Sequence, residues 1–400
     1  MNRTNGGANL PALRSHNTAL VLDLLRGAGA GGISRLELAE RTGLTPQAVS
    51  KITARLRGAG LAAEAGHRAS TGGKPRTVLR LVPGAGHAVG VHLDRDALRT
   101  VLVDLAGAVV AERHAALDLG AGAQAVVAVV AGEVEGLMEG LLEEAGGERA
   151  AEDAGPPEAG ATTGPSAPGA DDEGTAPHSA ADSLPSLLGV GVALPGPLDH
   201  TRGVLHRVTG FPEWDGFPLR DALARRLGVP VVVDKDTNAA ALGLAVAGER
   251  GSFAYLHLGT GLGAGLVIGG AVHRGARTAA GEFGHQVVQL DGPPCGCGDR
   301  GCVEALCLAA VARGDLTEAA RVLGIAAGNL VALLDIDLVL LGGRTVTTAP
   351  DAFLRGVEAV LDERARRTGE EPVPVRTATG EVAEGAAQLV LAPLFGRSDA

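Results

Sequence analysis

The stretch PCGCGDRGCVE, residues 294–304, places three cysteines within eight positions of a 400-residue chain that contains four cysteines in all. His285 precedes the first of them by ten residues, and three thiolates with one imidazole form a tetrahedral set that suits Zn²⁺. We therefore predict a zinc site built from His285, Cys295, Cys297 and Cys302. A redox or disulfide pair is the alternative, although the spacing is unusual for redox chemistry.

The composition indicates a large core of small aliphatic residues, because hydrophobic residues make up 46% of the chain and aromatic residues only 2%. The sequence contains neither a leader-like segment nor an uncharged apolar run of about 18 residues. We expect a cytoplasmic protein, where thiols stay reduced and clustered cysteines bind metal more often than they pair. The fourth cysteine, Cys307, lies in an apolar run and is predicted to be a buried spectator.

Charge is distributed unevenly along the chain. Up to Arg80 there are twelve basic and four acidic residues, whereas the whole chain has a formal net charge of −11. A basic N-terminal region on an acidic remainder predicts that only this region meets a polyanion.

The basic region carries a helix-turn-helix pattern within residues 34–61. Ser34 and Glu37 have the spacing of a capping box, and Thr45 followed by Pro46 marks the start of a second helix. Two strand-like runs joined by ASTGGKP follow and predict a wing. A second helix of this kind reads base edges in the major groove, and a basic wing can approach a groove or phosphates. The alternative is a helical hairpin that only packs on the rest of the protein.

This pattern predicts a winged helix-turn-helix DNA-binding domain at residues 1–84, with operator DNA as the partner of a homodimer or homotetramer. The residues predicted to contact DNA are Thr45, Gln47, Ser50, Lys51 and Arg55 on the second helix and Lys74 and Arg76 on the wing.

A second compositional break covers residues 143–183. This range contains no Val, Ile, Leu, Phe or Met and is rich in Pro, Gly and acidic residues. Such a segment cannot bury enough apolar surface to offset its ordering entropy. We predict a disordered acidic insertion within a domain, since helix-like and strand-like runs flank it.

Four further motifs accompany the metal stretch and the GEFGH run at 281–285. They are GVGVALPGPLD (189–199), VVVDKDTNAAALG (231–243), LHLGTGLGAGLVIGG (256–270) and IDLVLLGG (336–343). Together with the N-terminal pattern they resemble the repressor branch of the ROK family, which contains repressors and sugar kinases. Any one of the glycine motifs alone would be a weak signal.

The resemblance implies an α/β fold. The winged helix-turn-helix would be followed, at residues 85–400, by a two-lobed, actin/hexokinase-like (ribonuclease H-like) sugar-binding domain with a zinc loop. Lobe one would cover about 85–200 plus a C-terminal helix at 382–400, and lobe two about 201–381.

The resemblance also implies a ligand site in the cleft between the lobes, formed by Lys235, Asp236, Glu282, His285 and Glu304. Carboxylates accept charge-assisted hydrogen bonds from sugar hydroxyls, and an imidazole with one nitrogen on zinc can donate from the other. Asp236 sits where family kinases keep the general base. Lys235 stands in place of the usual Asn, and because an ammonium only donates, we expect it to pair with Asp234 or Asp236.

One phosphate loop departs from the family kinases. Where they carry glycines whose N–H groups reach ATP phosphates, this chain has Arg95, Asp96 and Ala97. The second phosphate loop, Gly259, Thr260 and Gly261, is intact and is interpreted as a remnant. No catalytic residue is therefore expected, and Asp236 is interpreted as a vestigial base.

These features predict a transcriptional regulator, a repressor, that binds DNA through its head and a sugar or sugar derivative in its zinc-bearing domain. An ATP-dependent, glucokinase-like sugar kinase with a DNA-binding appendage is the alternative. A regulator that answers to a protein partner, without any small ligand, is a third possibility.

Overall fold

The computed structural model describes residues 16–68, 76–153, 187–206, 208 and 211–397. Within these ranges the chain forms an N-terminal unit of helices and a small sheet, followed by two five-stranded sheets that flank a cleft.

The N-terminal unit contains three helices, α1 (His16–Ala28), α2 (Arg35–Thr42) and α3 (Pro46–Gly58). The predicted capping box is confirmed, because Ser34 Oγ accepts from the backbone of Glu37 while the Glu37 carboxylate accepts from Ser34 N. Gly43 ends α2 in the left-handed conformation, and Thr45 caps α3 by accepting from Ala48 N.

Three antiparallel strands complete this unit: β1 (Ile33–Ser34), β2 (Ala62–Arg68) and β3 (Arg76–Leu81), in the order β1-β3-β2. The two longer strands are the ones that the sequence pattern predicts. The short strand β1 was not predicted, because two residues leave no readable alternation.

The first large sheet has the order β10-β7-β4-β5-β6, with β4 antiparallel to β5, β5 antiparallel to β6, and parallel pairings elsewhere. Its strands are β4 (His87–Leu93), β5 (Ala97–Asp104), β6 (Val109–Ala116), β7 (Leu187–Leu194) and β10 (Val231–Lys235). Along the chain, a two-stranded ribbon of β8 (Leu198–Asp199) and β9 (Val204–Leu205) comes between β7 and β10. The sheet thus takes β10 from the range that we assigned to lobe two.

The second large sheet repeats this topology with the order β13-β12-β11-β14-β15. Its strands are β11 (Phe253–Leu258), β12 (Leu262–Ile268), β13 (Ala271–Val272), β14 (Leu338–Gly342) and β15 (Val375–Thr377). Each sheet combines three antiparallel strands with two further parallel strands, which is the duplicated arrangement expected of an actin-like or hexokinase-like α/β protein.

The remaining helices pack on these sheets. They are α4 (Ala123–Asp153), α5 (Leu219–Leu227), α6 (Asp236–Ala247), α7 (Val303–Ala312), α8 (Leu316–Leu334), α9 (Arg344–Thr348), α10 (Pro350–Thr368) and α11 (Val382–Leu391). Within the described ranges α8 alone is long and apolar enough to cross a membrane by length and composition. It packs against α10 and α7 in the core of the second sheet, which accounts for its apolar character.

The head and the body share one hydrophobic core. Leu25 of α1, Leu56 of α3 and Leu79 of β3 belong to the same buried cluster as Leu391 of α11 and Phe395. The head is therefore packed onto the first sheet and its C-terminal helix, and is not a unit tethered by a linker alone.

The predicted insertion requires a correction at its start. Helix α4 continues through Asp153, so residues 143–153, which we predicted to be disordered, are helical. Glu and Ala make up seven of these eleven residues, and both have high helix propensity, which allows the helix to continue. Residues 154–183 of the predicted insertion lie outside the described residues.

Candidate functional site

The cleft between the two sheets contains a cavity that brings together side chains from distant parts of the sequence. Its lining consists of Asp94, Arg95, Pro195, Gly196, Lys235, Asp236, Thr237, His257, Thr260, Gly261, Leu262, Gly263, Gly281, Glu282, His285 and Glu304. All five residues predicted to bind the ligand are among them, with two residues of the predicted phosphate loop. Gly259, the third, lies beside the cavity and donates its N–H to Gly261 O at 2.9 Å.

Local structure explains how these side chains reach one place. Strand β10 ends at Lys235, and α6 begins at Asp236, so both residues lie at the carboxyl end of a parallel strand. The GEFGH run forms a single 3-10 turn against β12. Gly281, with φ of 83°, lies so close to the carbonyl oxygen of Ala264 that a Cβ would collide with it.

Two carboxylates of the site are oriented by backbone N–H groups. Asp236 Oδ1 accepts from Thr237 N at 2.6 Å, and Glu304 Oε2 accepts from Leu262 N at 2.8 Å. Glu304 stands in the first turn of α7, two residues after the last cysteine of the metal loop. Carboxylates fixed in this way can accept hydrogen bonds from a polyhydroxylated ligand without first being ordered.

Lys235 does not pair as the sequence led us to expect. Its Nζ donates to Ala280 O at 2.6 Å and to Glu282 Oε1 at 3.1 Å, and its side chain is only 3% exposed. Asp234 is not available to it, because its buried carboxylate already receives Arg274 Nε at 2.6 Å and Asn238 Nδ2 at 2.8 Å. The lysine therefore neutralises a carboxylate that belongs to the cavity itself.

The four predicted metal ligands converge on one point. His285 Nδ1 lies 3.6 Å from Cys295 Sγ, and Cys297 Sγ lies 3.7 Å from Cys302 Sγ. All four ligand atoms are within 4.8 Å of one another. A tetrahedral ion with Zn–S of about 2.3 Å and Zn–N of about 2.0–2.1 Å separates its ligand atoms by about 3.6–3.8 Å, so the cluster has the dimensions of a metal site.

The protonation state of the cysteine thiols depends on whether a cation is bound among them. Burial, together with hydrogen bonds to Cys297 and Cys295, raises the pKa of Cys302 to about 12. A cation in the cluster would stabilise the thiolate instead, which couples metal binding to release of protons. Cys307 is fully buried and donates to Ala319 O at 3.5 Å, away from the cluster.

The phosphate-loop side of the cleft is bridged by the chain's own side chains. Thr260 Oγ1 donates to Asp94 Oδ1 at 3.0 Å, and Arg344 Nη1 lies 3.1 Å from both carboxylate oxygens of Asp96. Burial opposes ionisation of Asp94, but hydrogen bonds from Arg95 N and Thr260 hold its pKa below the ordinary value. Both contacts join the turn after β4 to the second sheet.

Two histidines and a tyrosine near Asp236 are not among the site residues predicted from the sequence. His257 lines the cavity, and its Nδ1 lies 2.9 Å from Tyr255 Oη; His92 packs edge-on against it with ring centroids 6.5 Å apart. Burial lowers the pKa of His92 to about 4 and raises that of Tyr255. The sequence feature that could have identified this group is His257, a polar residue in the apolar strand that precedes Gly259.

The head presents most of its predicted DNA contacts to solvent. Gln47, Ser50 and Lys51 are exposed on α3, whereas Thr45 serves as its N-cap. Arg55 is exposed as well, but its Nη2 donates to Thr18 Oγ1 of α1 at 2.6 Å. Lys74 lies outside the described residues, and Arg76 is the first residue of β3.

A comparison with known protein families matches the middle of the chain. A family model described as the ROK family matches residues 175–313, a range that includes the metal loop and the cavity residues from Pro195 to Glu304. Residues 175–313 therefore match a ROK family domain.

Relatives of this chain include a protein of Caldicellulosiruptor sp. (strain Rt8B.4), provisionally named a xylose repressor. It is 26% identical over 380 residues, which cover 83% of this chain and 84% of that protein. The glucokinase of Thermotoga maritima is 41% identical, but over 132 residues, or 32% of this chain and 42% of the kinase. The first resemblance runs through nearly the whole chain and the second through a part of it.

Among solved structures, this chain is similar to a ROK family transcriptional regulator described as a homolog of the E. coli MLC protein. The TM-score is 0.71 at 19% identity, and the match covers 96% of this chain and 97% of that one. The likeness includes the head as well as the two-sheet body, and at this identity it concerns the fold alone.

Proposed function

We propose that this protein is a cytoplasmic ROK-type transcriptional repressor whose head binds operator DNA and whose cleft binds a sugar or sugar derivative. The observation that carries the proposal is that a head of three helices and a three-stranded sheet is joined, through a shared core, to a cleft lined with oriented carboxylates. The resemblance to a provisionally named repressor over most of the chain supports it.

The cleft supplies the chemistry for a neutral, hydroxyl-bearing ligand. Asp236, Glu282 and Glu304 offer carboxylate oxygens, which form charge-assisted hydrogen bonds with hydroxyls. His285 lines the same cavity with its ring while its Nδ1 faces the cysteine cluster, so the other ring nitrogen is left to donate to the ligand.

The metal of the cluster is zinc in this proposal, because three thiolates and one imidazole at tetrahedral spacing are the ligands that zinc prefers. When bound, zinc supplies the cross-link that the loop lacks. His285, Cys295, Cys297 and Cys302 would hold it. The residues of the chain then do the rest: Cys302 begins α7, and α7 carries Glu304 into the cavity.

Phosphoryl transfer is not part of the proposal. Such transfer depends on positioning the donor and stabilising charge around its phosphates. Here Asp94 accepts a hydrogen bond from Thr260 and Asp96 is paired with Arg344, and the Asp96 carboxylate would repel a phosphate. Asp236 would act as a hydrogen-bond acceptor for a hydroxyl, a role that requires no ATP.

A chain of contacts connects the cleft to the DNA-facing helix. Asp236 begins α6, and near the other end of this helix Val246 O accepts from Arg397 Nη1 at 3.4 Å. Arg397 also lies 3.3 Å from Asp23 of α1. Because α1 accepts from Arg55 of α3 through Thr18, a displacement of α6 on ligand binding can reach α3.

Binding to DNA from the protein's own upstream region, with and without a panel of sugars, tests the proposal. Footprinting should reveal a palindrome protected by a dimer, and one sugar should change the protection. ADP release should stay at background with every sugar tried. Sugar-dependent ADP release in the usual kinase range of about 1–100 per second would instead support the alternative that the protein is a sugar kinase.

The head can be tested separately by Lys51→Gln, with Arg355→Gln on the exposed surface of α10 as the matched control. We expect Lys51→Gln to weaken operator binding and to make the dependence on salt shallower by roughly one unit, as for one lost phosphate contact. The control should change neither. If both variants behave as the wild type, α3 does not contact DNA.

A further inference from the structure

A second cavity, at the junction of head and body, is lined by four arginines. It has a volume of about 600 Å³ and lies between α1, α6 and α11. Arg26 comes from α1, Arg41 from α2, Arg250 from the segment after α6, and Arg397 from the segment after α11. The volume falls within the range of about 300–1,000 Å³ that is typical of sites for small ligands.

The charges around this junction cavity do not balance. Arg26 Nη2 and Arg397 Nη2 lie 3.4 Å and 3.3 Å from the same oxygen, Asp23 Oδ1. Glu381 and Glu384, which also line the cavity, are paired with Arg99 at 3.0 Å and 3.5 Å. Among the described residues Arg41 and Arg250 have no ion-pair or hydrogen-bond partner, so the cavity is left with a surplus of positive charge.

Two buried polar atoms of residues that line this cavity lack hydrogen-bond partners in the described part of the chain. Arg26 Nη1 forms no hydrogen bond within the described part of the chain, although its side chain is only 10% exposed and its guanidinium stacks 4.1 Å from the Phe395 ring centroid. Gln388 Oε1 is likewise unpaired, with the residue 6% exposed. An unsatisfied buried donor and acceptor are costly, and a bound ligand or water is the usual remedy.

We propose that the junction cavity binds a small phosphate monoester that also carries hydroxyl groups. Guanidinium groups match the geometry of phosphate oxygens and bind them through paired N–H donors, which the exposed Arg41 and Arg250 have free among the described residues. Gln388 Oε1 can accept only from a donor such as a ligand hydroxyl. An anion without hydroxyl hydrogens, such as sulfate, would satisfy the arginines and leave this acceptor unpaired.

A ligand at this place would act on the relation between head and body. The arginines belong to both parts, two to the head and two to the body, so one phosphate that contacts all four would tie them together. The site is distinct from the cleft, because the two cavities share no lining residue. Its existence does not depend on the proposed function of either the head or the cleft.

Isothermal titration of the full-length protein with glycerol 2-phosphate tests the proposal, with glycerol and inorganic phosphate as comparison probes at constant ionic strength. We expect saturable binding of one glycerol 2-phosphate per chain, weaker binding of inorganic phosphate and none of glycerol. The double variant Arg41→Gln/Arg250→Gln should weaken binding at least tenfold. Both side chains are exposed, so the fold should persist, and circular dichroism checks this.

Two controls decide whether the binding belongs to this cavity. Arg355→Gln removes an exposed arginine elsewhere and should change affinity less than twofold. Asp236→Asn alters the cleft and should leave glycerol 2-phosphate binding intact. Absence of saturable binding, equal losses in the double variant and the Arg355 control, or loss of binding in Asp236→Asn would each overturn the proposal. No DNA or sugar is present, so the result is independent of the repressor proposal.

Discussion

The two halves of the cleft differ in whether their polar side chains are free to contact a ligand. On the side of the metal loop, Asp236 and Glu304 are each fixed by one backbone N–H and still face the cavity. On the side of the phosphate loop, Asp94 is bonded to Thr260 and Asp96 to Arg344, so the polar groups satisfy one another. One half is prepared for a ligand, and the other half is occupied by the protein's own side chains.

The difference teaches how an enzyme-like cleft can serve a regulator. Recognition of hydroxyls needs only fixed acceptors, whereas phosphoryl transfer needs free donors around the phosphates of a second substrate. In the proposed function, Arg95 and Asp96 stand where the family kinases carry glycines, so this loop would not support phosphoryl transfer while hydroxyl recognition stays intact. The contacts across the loop also tie the two sheets together in the absence of a nucleotide.

The largest effect should come from the half that is prepared for a ligand, through its metal loop. Cys302→Ala removes one of four ligands and a buried side chain, so we expect loss of about one zinc per chain, a fall of about 4 kcal/mol or more in the free energy of unfolding, and loss of the sugar response. Metal analysis and thermal unfolding measure these effects. Cys307→Ala is the matched control, since Cys307 is buried outside the cluster and should retain the metal.

Lys235→Asn should strengthen ligand binding by the same half of the cleft. The substitution releases Glu282 from its ion pair and restores an amide that both donates and accepts. We expect about tenfold tighter binding of an uncharged hexose by titration calorimetry, equivalent to about 1.4 kcal/mol and to one added charge-assisted hydrogen bond. Lys235→Met releases Glu282 without supplying an amide and should gain less. Weaker binding of the hexose by Lys235→Asn would mean that the lysine itself contacts the sugar.

The smallest effect should come from the bridged half. Asp96 and Arg344 are 61% and 50% exposed at their side chains, and exposed ion pairs contribute about 0–1 kcal/mol. Arg344→Gln should therefore lower the free energy of unfolding by less than about 1 kcal/mol and should not create ATP binding, because Asp94, Arg95 and Asp96 still crowd the loop. Equilibrium denaturation and nucleotide titration check both points; micromolar ATP binding by this variant would show that a single ion pair had hidden a working donor site.

Short-range signals in the sequence were sufficient for the metal cluster and the caps. Cys295, Cys297 and Cys302 lie within one loop, and the Ser34–Glu37 box spans one helical turn, so spacing alone specifies their geometry. The glycine motifs likewise marked the strand ends that meet at the cavity.

Long-range partners could not be predicted in this way. Arg344 meets Asp96 across 248 positions, and nothing local distinguishes it from other arginines. Lys235 pairs with Glu282 because Asp234 is already saturated by Arg274 and Asn238, a fact that only the packed structure provides. The shared core of head and body is missed for the same reason, since apolar periodicity shows which face is buried but not against what.

The most direct test of the account is operator binding by the wild type and by Asp236→Asn, with and without the sugar that alters the wild-type footprint. We expect equal affinities for DNA in the absence of sugar, because Asp236 lies in the cleft and the DNA-facing helix lies in the head. Saturating sugar should shift the wild-type affinity by at least tenfold and leave Asp236→Asn unchanged. A variant that still responds fully to the sugar, or that loses DNA binding without it, would contradict the assignment of the cleft as the effector site.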